Sequence, residues 1–167
     1  MGRFPVYQSP ELDEVERRLR PGPHRHGYLE GDPRPLIQIL TEDEKAVKEA
    51  GLYHDAIARR LRALTEAAKR ALGEPVVVED RLRVRVEAAR GKLPCPWGHP
   101  GLYPKTHVEL ERLDTGERLQ WTDLSIHFIE AHGFYQGAAS PYRLDPPTVI
   151  RILDLKPEES PQAVPPA

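Results

Sequence analysis

The chain has no asparagine, one cysteine, Cys95, and one methionine, Met1. A lone cysteine excludes a disulfide within the chain, so the fold must be held by its core or by an ion, and a reducing, cytoplasmic setting is expected. Long apolar runs are also missing: no window approaches the roughly 20 residues of a membrane span. Nor is there an excess of positive charge. With 24 lysines and arginines against 26 aspartates and glutamates, the formal net charge is −2, which argues against a general binder of nucleic acid or acidic membranes and leaves only a local basic patch for that role. Charged residues make up 30% of the chain. Together with the scarcity of labile residues this points to a thermophile, although a GC-rich genome biases composition in the same direction.

What is present fits one α+β domain with a mostly antiparallel sheet. Residues 1–35 read as an N-terminal helix and an irregular arm, 36–155 as the domain, and 156–167 as a disordered, proline-rich tail. Ser9-Pro10-Glu11 is an N-cap followed by a first-turn proline and acid, and Leu12, Val15 and Leu19 follow at helical spacing, so a helix over 10–20 is expected. Leu36 to Leu40 reads as a short buried strand. Thr41 with Glu44 forms a capping box. From there Val47, Ala50, His54, Ile57, Leu61, Leu64, Ala68 and Ala71 keep a three-four spacing up to Gly73 and Pro75. That pattern predicts one long helix over 41–73; the alternative is a helix-turn-helix broken at Ala50-Gly51-Leu52.

Val76 to Val78 reads as a strand, and Leu82, Val84, Val86 and Ala88 as a second, alternating against arginines. His107 to Leu113 and Arg118 to Thr122 flank Asp114-Thr115-Gly116-Glu117, a hairpin turn. Thr122 or Asp123 then caps a helix ended by Gly133, and Asp145-Pro146 starts a short one through Leu153.

The chemistry concentrates in segment 94–133. Pro94-Cys95-Pro96-Trp97-Gly98-His99-Pro100 puts a thiol and an imidazole in one stiff loop, and His127 and His132 lie on the helix after the hairpin. Cys-x3-His followed by His-x4-His matches zinc, which takes four nitrogen or sulfur donors in a tetrahedron. The segment is ββα-like in spacing. It departs from a ββα zinc finger in having His99 where a second cysteine is usual and 27 residues between the ligand pairs, against about 12. Positions five apart on an ideal α-helix differ in direction by about 140°, so His132 needs a final turn that tightens or unwinds near Gly133 to join His127. The competing interpretation is a buried Cys95, a core-facing His127, and His99 and His132 at the surface.

His107 is the substitute ligand if His99 turns away, and His24, His26, His54 and Asp55 form a second, weaker set. A catalytic metal would need an open position and a base, for which Glu130 or Asp123 are in place. A ββα-metal nuclease would use His107 as its base, but no asparagine exists to orient it. Nothing in the flanks of Cys95 stabilises a thiolate nucleophile. A basic stripe from Arg81 to Lys105, near Trp97 and Tyr103, would suit a nucleic-acid backbone; the alternative is a solvated strand face whose arginines pair with neighbouring glutamates.

These features predict a structural zinc site at Cys95, His99, His127 and His132 in a non-enzymatic binding module for nucleic acid or a protein. The alternatives are a metal-dependent hydrolase and a structural or assembly protein without metal.

Overall fold

The computed structural model describes residues 6–20 and 27–157. His24 and His26 fall outside them, as does the expected tail beyond residue 157. Among the described residues no helix is long and apolar enough to cross a membrane.

Helix α1 spans Pro10–Leu19, and Ser9 Oγ accepts the Leu12 N–H at 3.1 Å, as its N-cap position requires. Its buried stripe, Leu12, Val15 and Leu19, faces helix α2, Leu36–Glu49. The five residues expected to form a strand, 36–40, are therefore the opening of α2. A short apolar run fits both periods, and here Leu36, Ile39, Leu40, Asp43 and Val47 are buried at helical intervals. The capping box at Thr41 is not formed: Thr41 lies inside the helix and donates its hydroxyl to Ile37 O at 2.7 Å. A residue from α1 caps α2 instead, the Glu16 carboxylate accepting the Leu36 N–H at 2.7 Å.

The single long helix over 41–73 is also corrected. The chain turns at Gly51, φ 73°, and helix α3, His54–Lys69, begins afterwards. Its apolar stripe kept phase across the glycine because both helices bury the same kind of face in one core, which holds Val47 from α2 and Ile57, Leu61, Leu64 and Ala68 from α3. A Cβ at Gly51 would lie 2.9 Å from Pro157 Cβ. Gly51→Ala is therefore expected to destabilise the protein by about 1–2 kcal/mol, the cost of a left-handed backbone for an L-residue, measurable by urea unfolding. In a continuous helix the same change would stabilise.

The sheet is an antiparallel meander in the order β1-β2-β3-β4, with β1 at Val76–Val78, β2 at Leu82–Pro94, β3 at Leu102–Arg112 and β4 at Arg118–Thr122. Leu82, Val84, Val108, Leu110 and Trp121 bury one face beneath α3, and Trp121 Nε1 donates to Thr65 Oγ1 at 2.9 Å. Strands β2 and β3 run well past their neighbours. Their pairing continues through a register shift between Ala88 and Lys92 to Pro94 opposite Leu102, so the cysteine loop is the tip of a long hairpin.

Helix α4, Asp123–His127, starts with a capping box in which Thr122 Oγ1 accepts the Ser125 N–H at 3.1 Å and Ser125 Oγ accepts the Thr122 N–H at 3.0 Å. It runs on as a π-helical turn, Phe128–His132, closed by Gly133 at φ 60°. This segment joins two cores: Ile126 and Ile129 pack with the sheet and α3, whereas Leu124 and Phe128 pack with α1, α2 and Cys95. The strap that follows is pinned at Gly137, whose N–H donates to Tyr28 O at 2.8 Å, and at Ala138, whose N–H donates to Asp32 Oδ2 at 2.9 Å. Helix α5, Pro146–Ile152, ends the fold, with Asp145 as its N-cap.

Candidate metal centre

Cys95 and His99 reach the centre from the hairpin tip. The Gly98 N–H donates to Cys95 O at 3.0 Å, and Gly98 takes φ 87°, so the loop folds back sharply enough for both side chains to point the same way. Arg18 of α1 anchors it, its Nε donating to Pro96 O at 2.6 Å.

His127 and His132 come from the helix, and the π turn answers the directional problem. An α-helix stacks residues four apart because its hydrogen bonds run i→i+4; a turn bonded i→i+5 is wider and brings residues five apart onto one side. The turn thus widens rather than tightens. The bonds at its end are long-stepped too, the Phe134 N–H donating to Phe128 O at 3.0 Å.

One donor atom from each of Cys95, His99, His127 and His132 lies within 4.8 Å of the other three. His99 Nε2 is 2.9 Å from His127 Nε2 and 3.1 Å from His132 Nε2, and Cys95 Sγ is 3.4 Å from His132 Nε2. In a tetrahedral zinc site the bond lengths put nitrogens about 3.3–3.4 Å apart and sulfur about 3.5–3.6 Å from nitrogen. These three spacings agree to within about half an ångström.

Hydrogen bonding alone does not account for this packing. A ring nitrogen offers either one proton or one in-plane lone pair, yet His99 Nε2 has two nitrogen neighbours at bonding distance. A cation at the centre would use all the lone pairs at once. The far side of His99 agrees, since its Nδ1 lies 3.3 Å from Pro100 O; a proton held there leaves Nε2 as the donor.

The surroundings of His127 favour its uncharged form. Burial, helped by the nearby His99, lowers the pKa of His127 below its ordinary value, against the opposing charge of Glu130. Burial pushes the Cys95 thiol up, opposed by the Trp97 N–H and by Arg18. Burial thus disfavours the thiolate, and a cation bound there would favour it.

Two residues that spacing does not single out complete the walls. Trp97 stacks on His132, with centroids 4.0 Å apart and planes 8° apart, and Tyr103 stacks on His127 at 4.3 Å and 27°. Trp97 also packs against Phe128 and Phe134. The sequence marked both Trp97 and Tyr103 as neighbours of the basic stripe, and only the position of Trp97 inside the loop tied it to the cluster.

The other sequence candidates lie elsewhere. His107 pairs with Glu109 at 2.9 Å and Tyr142 Oη at 3.1 Å, so it does not replace His99. His54 is buried with Nδ1 2.8 Å from Tyr135 Oη. Glu130 is bound to Arg62 at 2.8 Å and Asp123 lies 3.7 Å from Lys69. On the strand face Arg83 and Arg118 share Glu111, and Arg85 meets Glu87. Fold and site together define an α+β protein with a one-cysteine, three-histidine donor cluster. Comparison with family models, curated proteins and solved structures finds no match to the chain, so function rests on the geometry.

Proposed function

We propose that Cys95, His99, His127 and His132 bind one zinc ion in a closed tetrahedral site, and that this structural zinc fastens a non-enzymatic binding module. The observation that carries it is His99 Nε2 within 3.1 Å of two other ring nitrogens, with the Cys95 sulfur adjoining the same group. Sulfur and imidazole suit zinc, and four protein donors leave no position for a substrate or an activated water. The hydrolase alternative loses support further because both carboxylates suited to act as its base already face cations.

The zinc joins elements distant in sequence, the tip of the β2–β3 hairpin and the end of the α4 segment. Metal analysis of protein purified without added ions tests this. About one zinc per chain is expected in the wild type and in His107→Ala, and almost none in Cys95→Ser or His127→Ala. Zinc retained by both of the latter variants, or absent from the wild type, overturns the proposal.

A further inference from the structure

The hairpin that carries the cysteine loop has an unusual charge distribution. Residues 88–108 contain no aspartate or glutamate, while Arg90, Lys92 and Lys105 all lie there. All three are exposed. Among the described residues none of them has a carboxylate at ion-pair distance, in contrast to Arg83, Arg85 and Arg118 on the same sheet. The overall charge of −2 makes this local concentration more telling, because it does not follow from a generally basic surface.

Geometry sets these cations apart. Strand β1 pairs with β2 only over Leu82 to Val84, and β4 with β3 only over His107 to Glu111. Beyond them Ala88–Pro94 and Leu102–Thr106 continue as a two-stranded ribbon. The break between Ala88 and Lys92 and the positive φ of Gly91, 98°, bend it there, and a Cβ on Gly91 would lie 3.7 Å from Lys105 Nζ. The two strands thus bring their cations to one region of the ribbon. Arg90 and Lys92 are two positions apart, about 7 Å of strand, enough to meet neighbouring phosphates of a duplex, which carries one charge per about 1.7 Å of axis.

We propose that the distal β2–β3 ribbon, through Arg90, Lys92 and Lys105, binds the phosphate backbone of a nucleic-acid duplex. A duplex fits better than a single strand because the nearby aromatics are already engaged, Trp97 on His132 and Tyr103 on His127, and offer no free platform for unstacked bases. A two-stranded ribbon also matches the roughly 12 Å width of the B-form major groove. Binding is sequence-independent and salt-sensitive, since backbone contacts carry no base information. The proposal rests on the zinc reading only in that the metal holds the ribbon's tip in place.

Fluorescence anisotropy with labelled DNA and RNA duplexes of arbitrary sequence tests it, with zinc content measured on every sample. The triple variant Arg90→Ser, Lys92→Ser, Lys105→Ser should bind at least tenfold more weakly, keep its zinc, and show a log–log salt slope shallower by about 2.7, from about 0.9 per phosphate contact. A charge-matched control, Arg17→Ser, Lys45→Ser, Lys48→Ser, should change affinity less than twofold. Equal losses in the two triple variants, no duplex binding by wild type in 50 mM salt, or binding confined to phosphatidylserine vesicles overturns the ribbon proposal. Wild type that holds zinc without binding duplex refutes the ribbon alone; ribbon-dependent binding by protein that never holds zinc refutes the metal site alone.

Discussion

Chelation is expected to lower the melting temperature of the wild-type protein by about 8–16 °C and to leave Cys95→Ser unchanged. The size follows from linkage. Zinc held at a free concentration a thousandfold above its dissociation constant stabilises the folded state by about 4.1 kcal/mol, and each kcal/mol moves the midpoint of a chain this size by about 2–4 °C. Zinc that binds only the folded arrangement adds all of its binding free energy to folding. The four donors come from a hairpin tip and a helix end with β3, a turn and β4 between them, so unfolding scatters the site. Differential scanning calorimetry with and without chelator reads the effect, and an identical midpoint in both conditions contradicts it. The loss should concentrate where Cys95, Leu124, Phe128 and Phe134 share a core with α1 and α2, visible as faster amide exchange there than in α3.

Asp43→Ala is expected to cost about 3–5 kcal/mol, comparable to losing the metal. Asp43, 4% exposed on α2, accepts from Arg143 Nη1 at 2.6 Å and Nη2 at 2.9 Å, and Arg143 Nη1 also donates to Gln136 O at 2.8 Å. Truncating the carboxylate leaves a largely buried guanidinium without its bidentate partner, with only the exposed Asp145 at 3.4 Å, close to the situation in which broken ion pairs are most damaging. It also frees the strap after Gly133 from α2. Chemical denaturation measures the cost. The double variant Asp43→Leu, Arg143→Met should recover much of it, because removing both charges avoids the stranded one. A loss below about 1 kcal/mol in Asp43→Ala would place the pair in effective contact with water.

Local signals in the sequence were read correctly where a side chain acts on its own backbone. Ser9 caps α1, Asp145 caps α5, Thr122 caps α4, and the alternation of Leu82, Val84 and Val86 against arginine gives β2 its buried face. The turn between β3 and β4 was equally legible in Asp114-Thr115-Gly116-Glu117, where Gly116 takes φ 74°. The readings that failed depend on partners far along the chain. Leu36 to Leu40 reads as strand until Glu16, twenty positions earlier, supplies the missing helix cap. The turn at Gly51 is hidden because α2 and α3 feed the same core, so the apolar rhythm crosses it unbroken.

For the site, residue types and spacing were enough to single out the four residues that the structure brings together, because a thiol and an imidazole in one loop and two imidazoles near a helix end are uncommon in so cysteine-poor a chain. Their directions were not legible. Five-residue spacing on an α-helix argues against a shared side, and only the π turn from Phe128 to His132 reverses that argument. The long β2–β3 ribbon was hidden as well, since Ala89, Arg90, Gly91 and Lys92 have no apolar alternation to mark them as strand. Pairing resumes at Lys92 opposite Pro104, next to Leu93 and Tyr103, which pack against the cluster around Phe128.

X-ray absorption at the zinc edge, on protein purified without added metal, reads the coordination shell itself. The expected result is a four-coordinate shell with three nitrogens at about 2.0–2.1 Å and one sulfur at about 2.3 Å, the sulfur contribution vanishing in Cys95→Ser. A shell of nitrogen and oxygen alone, a coordinated water in place of one imidazole, or no zinc edge at all would contradict it.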